Sequence, residues 1–250
     1  MKFLKKKPIP KGLILAAGRG SRLNELTLEK PKCFIKICHK TLISYQIEAL
    51  QKAGIKNVAI VTGYLNEHFN KIHLKKFFNS NWGKTNMVYS MICAKEWFSN
   101  DVVVSYSDII YPYKVVKKLI SLEDDFVIVA DLKWKELWKK RFENPFEDAE
   151  TLKMHNNYLI EIGKKTNSYQ DIDAQFIGLF KVSAKGLKII SEMMKKKIIS
   201  ENYDVTQTLD KIISQNYKVK VLLFDDTWFE IDNKKDLSIA EDYINKLKMK

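Results

Sequence analysis

The sequence predicts an α/β protein: a mixed, mostly parallel sheet with helices on both faces and a small antiparallel region covering one edge. Three observations carry this. Apolar runs of strand length alternate with amphipathic stretches of helical length through the first half of the chain. The first run, GLILAA at 12–17, delivers the chain into a glycine-rich basic loop. From about 132 to 180 the pattern breaks into shorter segments. Strands alternating with helices make βαβ crossovers, and those place successive strands parallel.

Taken in order, GLILAA is an uncharged run suited to the centre of a sheet. The loop 18–32 follows, then CFIKI (33–37) as a short strand. TLISYQIEALQKAG (41–54) has helical spacing and Gly54 to stop it. NVAIVTG (57–63) is a strand, NEHFNKIHLKKFF (66–78) reads as a helix, and TNMVYSMICAKEWF (85–98) as a helix capped by Thr85. DVVVSYSD (101–108) and DFVIVAD (125–131) are strands flanking a helix at 112–122. TLKMH, YLIEIG and AQFIGLFKVS supply the smaller antiparallel part. Helices at 184–197 and 205–214, strands at 217–223 and 227–231, and a helix from about 234 complete the chain. With no internal repeat or low-complexity linker, residues 1–250 are expected to form one domain.

Composition narrows the function. At 46% hydrophobic and 29% charged the chain is ordinary for a globular protein. No apolar run approaches the ~20 residues of a membrane span. The opening MKFLKKKPIPKGLILAAG imitates a secretory leader, but Lys11 and Arg19 confine its apolar run, and two prolines interrupt its basic part. It reads as a lead-in to the first strand. Three cysteines (Cys33, Cys38, Cys93) and four histidines show neither disulfide nor metal-ligand spacing, which suits a reducing cytoplasm.

The net charge of +13 raises nucleic-acid binding, yet only three of the 43 basic residues are arginine: Arg19, Arg22 and Arg141. Base readers lean on the bidentate fork of arginine, so the scattered lysines read as a solvated surface and no nucleic-acid or membrane partner is expected. In a chain that defaults to lysine, the retained arginines mark places that need the fork. Two of them lie in GLILAAGRGSRL (12–23), where Gly18 and Gly20 let backbone N–H groups approach an anion. Lys30 and Lys32 in EKPKCF bring two more cations to the carboxyl end of the first strand, the edge at which open α/β sheets bind ligands. The loop lacks the third glycine of a dinucleotide fingerprint and the G-K-[ST] of a Walker loop.

Asp108 in VVVSYSD ends a buried strand at that edge, and Glu230 and Asp232 in WFEIDNKKDL share one face of another strand end. Either aspartate alone reads equally as a turn or helix cap. Together, facing a basic glycine loop, they suit Mg²⁺ on a polyphosphate, because that ion takes one or two carboxylates plus phosphate oxygens.

The combination LAAGRGSRL…EKPK, a strand-end aspartate about 90 residues on, and W-x-E-I-D-N-x-x-D-L resembles the nucleoside-triphosphate transferase family over nearly the whole chain. TNMVYS, RFENPFEDAE and FIGLFK are similar to its short bacterial cytidylyltransferase branch connected with capsule synthesis. Ser21 stands where threonine is commoner, and Ser107 where many relatives have glycine.

The resemblance implies a Rossmann-like fold, a nucleotide-binding core at roughly 12–131, an acceptor-binding part with the second metal ligand at 132–232, and a C-terminal helix at 233–250. It implies that the backbone of Leu15, Ala16, Ala17 and Gly18 reads the base and that Gly18, Gly20, Ser21 and Arg22 wrap the triphosphate. Lys32 would reach the α-phosphate and the acceptor, with Asn86 and Ser90 near cytosine or ribose. Asp108 and Asp232 carry over as Mg²⁺ ligands, with Glu230 as a third candidate. The implied reaction moves CMP from CTP to a small phosphorylated acceptor and releases pyrophosphate. A glycosyltransferase would share the sheet and a metal aspartate, but not the L-A-A-G-x-G…P-K loop. For the acceptor, the segment WKELWKKRFENPFEDAE offers Lys139, Arg141, Glu147 and Asp148 to an amino acid's two charges, whereas Trp134, Trp138 and Trp228 would cage a quaternary ammonium. Arg141 and Trp228 are the acceptor candidates, and phosphoglutamine giving CDP-glutamine is expected ahead of phosphocholine.

Overall fold

The computed structural model describes residues 9–248, so the expected lead-in lies largely outside the described residues. The chain runs through β1 (Lys11–Ala16), β2 (Lys36–Ile37), β3 (Lys40–Thr41), α1 (Leu42–Lys52), β4 (Val58–Thr62), β5 (Lys75–Phe78) and α2 (Met87–Cys93). Next come β6 (Val102–Tyr106), β7 (Ile109–Ile110), α3 (Tyr113–Ser121), β8 (Phe126–Asp131), α4 (Trp134–Arg141), β9 (Glu150–His155) and β10 (Tyr158–Lys165). It ends with β11 (Gln175–Val182), α5 (Ala184–Lys195), α6 (Val205–Ser214), β12 (Lys220–Phe224), β13 (Phe229–Glu230) and α7 (Lys234–Lys248).

Nine strands form one sheet in the order β5-β4-β1-β6-β11-β8-β12-β10-β9. β5, β4, β1 and β6 are mutually parallel, and β12 runs parallel to β8. β11 enters antiparallel between β6 and β8, while β10 and β9 add an antiparallel margin beside β12. The smaller antiparallel part expected at one end is formed by β9, β10 and β11, and it is continuous with the main sheet. AQFIGLFKVS is buried on both faces, the environment of a central strand, and its apolar content carries it there.

Helices cover both faces. One apolar layer joins α1, α3 and α4 to the sheet through Ile43, Leu50, Val116, Leu119 and Trp134. The other joins α2, α5 and α6 through Met91, Ile190, Leu209 and Ile212. Burial of these faces, at about 25 cal/mol per Å² of apolar surface, supplies the main drive to fold.

Several boundaries differ from the sequence reading. The helix expected at 66–78 is a single 3₁₀ turn (Asn66–Lys71) followed by β5, because residues 75–78 gain more by pairing with β4 at the sheet edge and burying Phe77. CFIKI opens as a 3₁₀ turn and contributes only β2. The cap of α2 is Asn86 rather than Thr85: its side chain accepts a hydrogen bond from the Met87 N–H at 2.8 Å. α4 was not expected; only Trp134, Leu137 and Trp138 of its eight residues are apolar and the other five are charged, so the helical stripe is obscured. Gly54 does end α1, at φ 101°, one residue beyond the last αR residue, Ala53. The strand expected at 227–231 is β13, which pairs with β7 in a ribbon of its own and not with the main sheet.

Candidate active site at the carboxyl end of the first strand

β1 emerges between β4 and β6 and releases the chain at Ala17 into the basic loop. Ala16 and Ala17 are buried, and Gly18 is exposed. The loop doubles back through 3₁₀ turns at Ser21–Thr27, tied by Leu23 N–H to the Gly20 carbonyl and by the Thr27 hydroxyl to the same oxygen. Gly20 has φ 68°, and a Cβ there would lie 2.8 Å from Lys32 Cδ. Leu15, Ala16, Ala17, Gly18 and Gly20 therefore form a continuous backbone path from the sheet to Lys32. Gly20→Ala is expected to cost about 1–2 kcal/mol for the left-handed conformation and to push Lys32 aside. A thermal melt together with turnover measures both effects; turnover should fall further than the stability loss explains.

The opposite wall of the loop was not anticipated. Tyr64 N–H donates to the Ala17 carbonyl at 2.9 Å, the Tyr64 hydroxyl donates to the Leu28 carbonyl at 2.9 Å, and Arg19 lies over the Tyr64 ring. Gly63 allows this approach, since a Cβ would sit 2.6 Å from the Ala17 oxygen. The Gly-Tyr after β4 could have been noticed as the end of a second buried strand at the same edge.

Lys32 is the centre of the site. Only 8% of its side chain is exposed, and its Nζ lies 2.7 Å from Asp108 Oδ2 and 2.5 Å from Asp232 Oδ1. Burial alone would favour neutral lysine, but the two carboxylates overcome it and raise its pKa above the ordinary value. Arg22, 70% exposed, reaches back to place Nη1 3.0 Å from Asp232 Oδ2. Ser21 beside it is exposed.

Two local devices bring the aspartates together across the sequence. β13 pairs antiparallel with β7, and Ile231 N–H donates to the Asp108 carbonyl at 2.9 Å. From beneath, Gln46 of α1 donates from Nε2 to the Tyr106 and Ile109 carbonyls, both at 2.9 Å, fixing the turn that carries Asp108. Gln46 is 1% exposed, and its signal was a polar residue on the apolar face Leu42, Ile43, Gln46, Ala49, Leu50.

Neither aspartate caps a helix. α3 begins after Pro112, away from Asp108. At α7 the cap bond goes to Asn233, whose Oδ1 accepts the Asp236 N–H at 3.0 Å, while Asp236 Oδ2 accepts the Asn233 N–H at 3.2 Å. That reciprocal pair satisfies the helix start and leaves Asp232 to the cations.

Asp108, Glu230 and Asp232 each place a carboxylate oxygen within 4.8 Å of the others. Asp108 Oδ1 is buried with no hydrogen-bond partner, an acceptor in want of a cation. Burial and the neighbouring Asp232 charge push the Glu230 carboxyl up to about 7 against the pull of Arg141. Burial would raise the Asp232 carboxyl too, but Lys32, Arg22 and Arg141 outweigh it and hold it below the ordinary value. An all-oxygen set of three carboxylates with cations beside them, one keeping an unpartnered oxygen, fits a hard divalent ion.

The remaining candidates sit elsewhere in the network. Asn86 caps α2 and donates to the Asn202 carbonyl, while Ser90 is buried and accepts from Asn79 Nδ2 at 3.0 Å; both side chains carry hydrogen bonds internal to the fold. Trp228 is 3% exposed and donates from Nε1 to Asp131 Oδ2 at 2.9 Å. With Tyr106, Trp138, Asp148, Glu150 and Glu230 it lines a cleft of about 160 Å³. Gly178 in that wall has φ 78°, and a Cβ there would meet the Tyr106 ring at 2.6 Å. Trp134 is core. Arg141 corrects the sequence reading: expected to grip an acceptor's carboxylate, its side chain is 1% exposed, held by Glu230 and Asp236 beneath the site. The cleft is lined by acids, aromatics and neutral groups, so the positive half of the expected two-charge grip is missing from its wall.

A basic glycine loop opposed to strand-end carboxylates, at the open edge of a mixed α/β sheet, defines a nucleotidyltransferase. The chain belongs to the MobA-like NTP transferase domain family, whose pattern it matches over residues 12–147. It is similar, at 44% identity over 91% of its length and 97% of the relative's, to the CTP:phosphoglutamine cytidylyltransferase of Campylobacter jejuni subsp. jejuni serotype O:2. A choline-phosphate cytidylyltransferase of Streptococcus pneumoniae is 36% identical over 40% of this chain and 46% of the relative. Among solved structures, the CTP:phosphocholine cytidylyltransferase from S. pneumoniae superposes with a TM-score of 0.71 at 23% identity, covering 95% of this chain and all (100%) of that one. The inositol-1-phosphate CTP transferase from T. maritima gives 0.74 at 22% identity, covering 96% of each chain. These two bear on the fold. No described helix is long and apolar enough to cross a membrane.

Proposed function

We propose that this enzyme is a cytidylyltransferase that moves CMP from CTP to the phosphate of a small acceptor, phosphoglutamine, with release of pyrophosphate. The observation that carries the transfer chemistry is the convergence of Lys32 and Arg22 on Asp108 and Asp232 at the end of β1.

An acceptor phosphate is already ionised near neutral pH, so its oxygen attacks without a general base. Its O–P bond to the α-phosphorus forms as the bond to the β-phosphate oxygen breaks, and both electrons of that bond leave with pyrophosphate. The loop N–H groups and Arg22 hold the β- and γ-phosphates as charge builds on them. Lys32, released from its carboxylates, neutralises the α-phosphate and brings the acceptor into line. Asp108, Asp232 and Glu230 would hold Mg²⁺, which when bound supplies charge neutralisation on the phosphates.

The acceptor assignment leans on the 44% identity over 91% of the chain to a protein named for phosphoglutamine. The cleft agrees in one respect: Asp148, Glu150 and Glu230 among aromatic rings favour a positively charged group, such as an α-ammonium. That feature also accommodates phosphocholine, which is the second reading. Pyrophosphate release from CTP, UTP, ATP and GTP, each with phosphoglutamine or phosphocholine, separates them. CTP with phosphoglutamine should be the best pair; efficient turnover of phosphocholine alone reverses the assignment, and no release from any triphosphate removes the transferase reading.

Arg22 offers a second check. Arg22→Ala should lower turnover strongly and raise the KM for CTP. Arg22→Lys should restore it only in part, because a lysine ammonium cannot make the bidentate fork. Equal kinetics for the lysine variant and the wild type would show that only the charge matters.

A further inference from the structure

Arg141 is the third arginine of a chain with 43 basic residues, and no step above uses it. Each of its nitrogen groups faces a carboxylate. Nη1 donates to Glu230 Oε2 at 2.7 Å, Nε to Asp236 Oδ1 at 3.0 Å, and Nη2 to Asp236 Oδ2 at 3.3 Å, with Asp232 Oδ2 3.6 Å from Nη2. Its guanidinium packs against the rings of Trp138 and Phe142, with centroids 5.2 and 5.0 Å away. Asp236, fully buried, turns its other interactions onto the backbone: Oδ2 accepts the Asp232 N–H at 2.9 Å and the Asn233 N–H at 3.2 Å. Lys235 locks the assembly from outside by donating to the Arg141 carbonyl at 3.0 Å.

We propose that Arg141 is a positioning residue that, with Asp236, sets the spacing and aim of Glu230 and Asp232 as ligands of the divalent ion. The guanidinium ties the side chain of Glu230 at the end of β13 to the turn that opens α7, and Asp236 ties the backbone of Asp232 to the same point. A planar fork does this because its three nitrogens lie in fixed directions; an ammonium on a flexible stem can satisfy one carboxylate but not hold two apart. Ligands held by such partners bind metal more tightly because little ordering remains to be done on binding, and loss of the partner typically weakens a site by about 10–100-fold. The arrangement also explains the burial of a cation next to, but not within, the acceptor cleft.

The inference rests on reading the three carboxylates as metal ligands, and its test separates the two. Free Mn²⁺ is followed by electron paramagnetic resonance as it is titrated with the full-length protein, for wild type, Arg141→Lys and Asp236→Asn, with no nucleotide present. Each variant should bind Mn²⁺ about tenfold more weakly, the low end of that range. The Mg²⁺ concentration giving half-maximal pyrophosphate release should rise by a similar factor. A lowered melting temperature with unchanged Mn²⁺ affinity would make Arg141 a packing residue only, and an increased KM for the acceptor with unchanged Mn²⁺ affinity would return it to the substrate site. Asp236→Asn keeps an oxygen for the two N–H groups, so it answers the question if Arg141→Lys does not fold. Wild-type protein that takes up no Mn²⁺ overturns the metal reading and the positioning role together, before CTP enters the experiment.

Discussion

Asp232→Asn is expected to lower pyrophosphate release from CTP by about 10²- to 10³-fold, the loss that several kcal/mol of transition-state stabilisation implies, while leaving the fold intact. The side chain is nearly isosteric, the Asp232 N–H keeps its bond to Asp236, and Ile231 still donates to the Asp108 carbonyl. What disappears is a full charge that faces Lys32, Arg22 and Arg141 at once. Asp108→Asn should be nearly as severe, but it disturbs fewer cations, since among the described residues Asp108 pairs with Lys32 alone. Turnover over a range of Mg²⁺ concentrations, with a thermal melt as control for folding, measures both. A variant that keeps activity within a few-fold of wild type in limiting Mg²⁺ would have lost nothing but a pairing partner for Lys32.

Lys32→Ala should be comparably damaging, for a different reason. In the proposed reaction the lysine serves the α-phosphate, and in the resting protein it balances two carboxylates. Removing it should reduce kcat by about a hundredfold, in keeping with the ~2.7–4 kcal/mol of a lost oxyanion contact. It should also lower the melting temperature in metal-free buffer, because Asp108 and Asp232 then repel without a cation between them. Added Mg²⁺ should recover more stability in the variant than in wild type, since an ion that binds only the folded state stabilises it by mass action. Melting curves with and without Mg²⁺ test this, and equal Mg²⁺ shifts in the two proteins would show that Lys32 and the metal do not address the same oxygens.

The parts legible in the sequence were those whose chemistry is local. GLILAA declared itself as a central strand because all of its neighbours had to be apolar, and the loop after it because glycines and rare arginines shared a few residues. The carboxylates of Asp108 and Glu230–Asp232 were visible as charges at strand ends, and only their joint placement opposite the basic loop set them apart from turn or helix caps. Arg141 shows the limit. Its scarcity value was real, but the segment around it carries no sign of Glu230 and Asp236, which hold it and come from the far end of the chain. β11 is antiparallel, as expected, but strand pattern gives length and burial and not which neighbours a strand inserts between. At 66–78, apolar residues spaced for a helix turned out to divide between a 3₁₀ turn and an edge strand, since pairing with β4 outweighs a weak helical preference.

The β7–β13 ribbon also bears on how the molecule becomes an enzyme in time. Both cations and Asp108 precede the middle of the chain, whereas Glu230, Asp232 and the Asp236 that orders them belong to its final segment. Closing that ribbon joins residues with most of the sheet between them, a contact of high sequence separation whose entropy is recovered only after the strands in between have assembled. A nascent chain that has paired β1 with β4 and β6 therefore still lacks two of its three carboxylates. Competence arrives last, because the same C-terminal segment that brings Glu230 and Asp232 to the site also packs Phe229 and Ile231 against Leu23 of the loop.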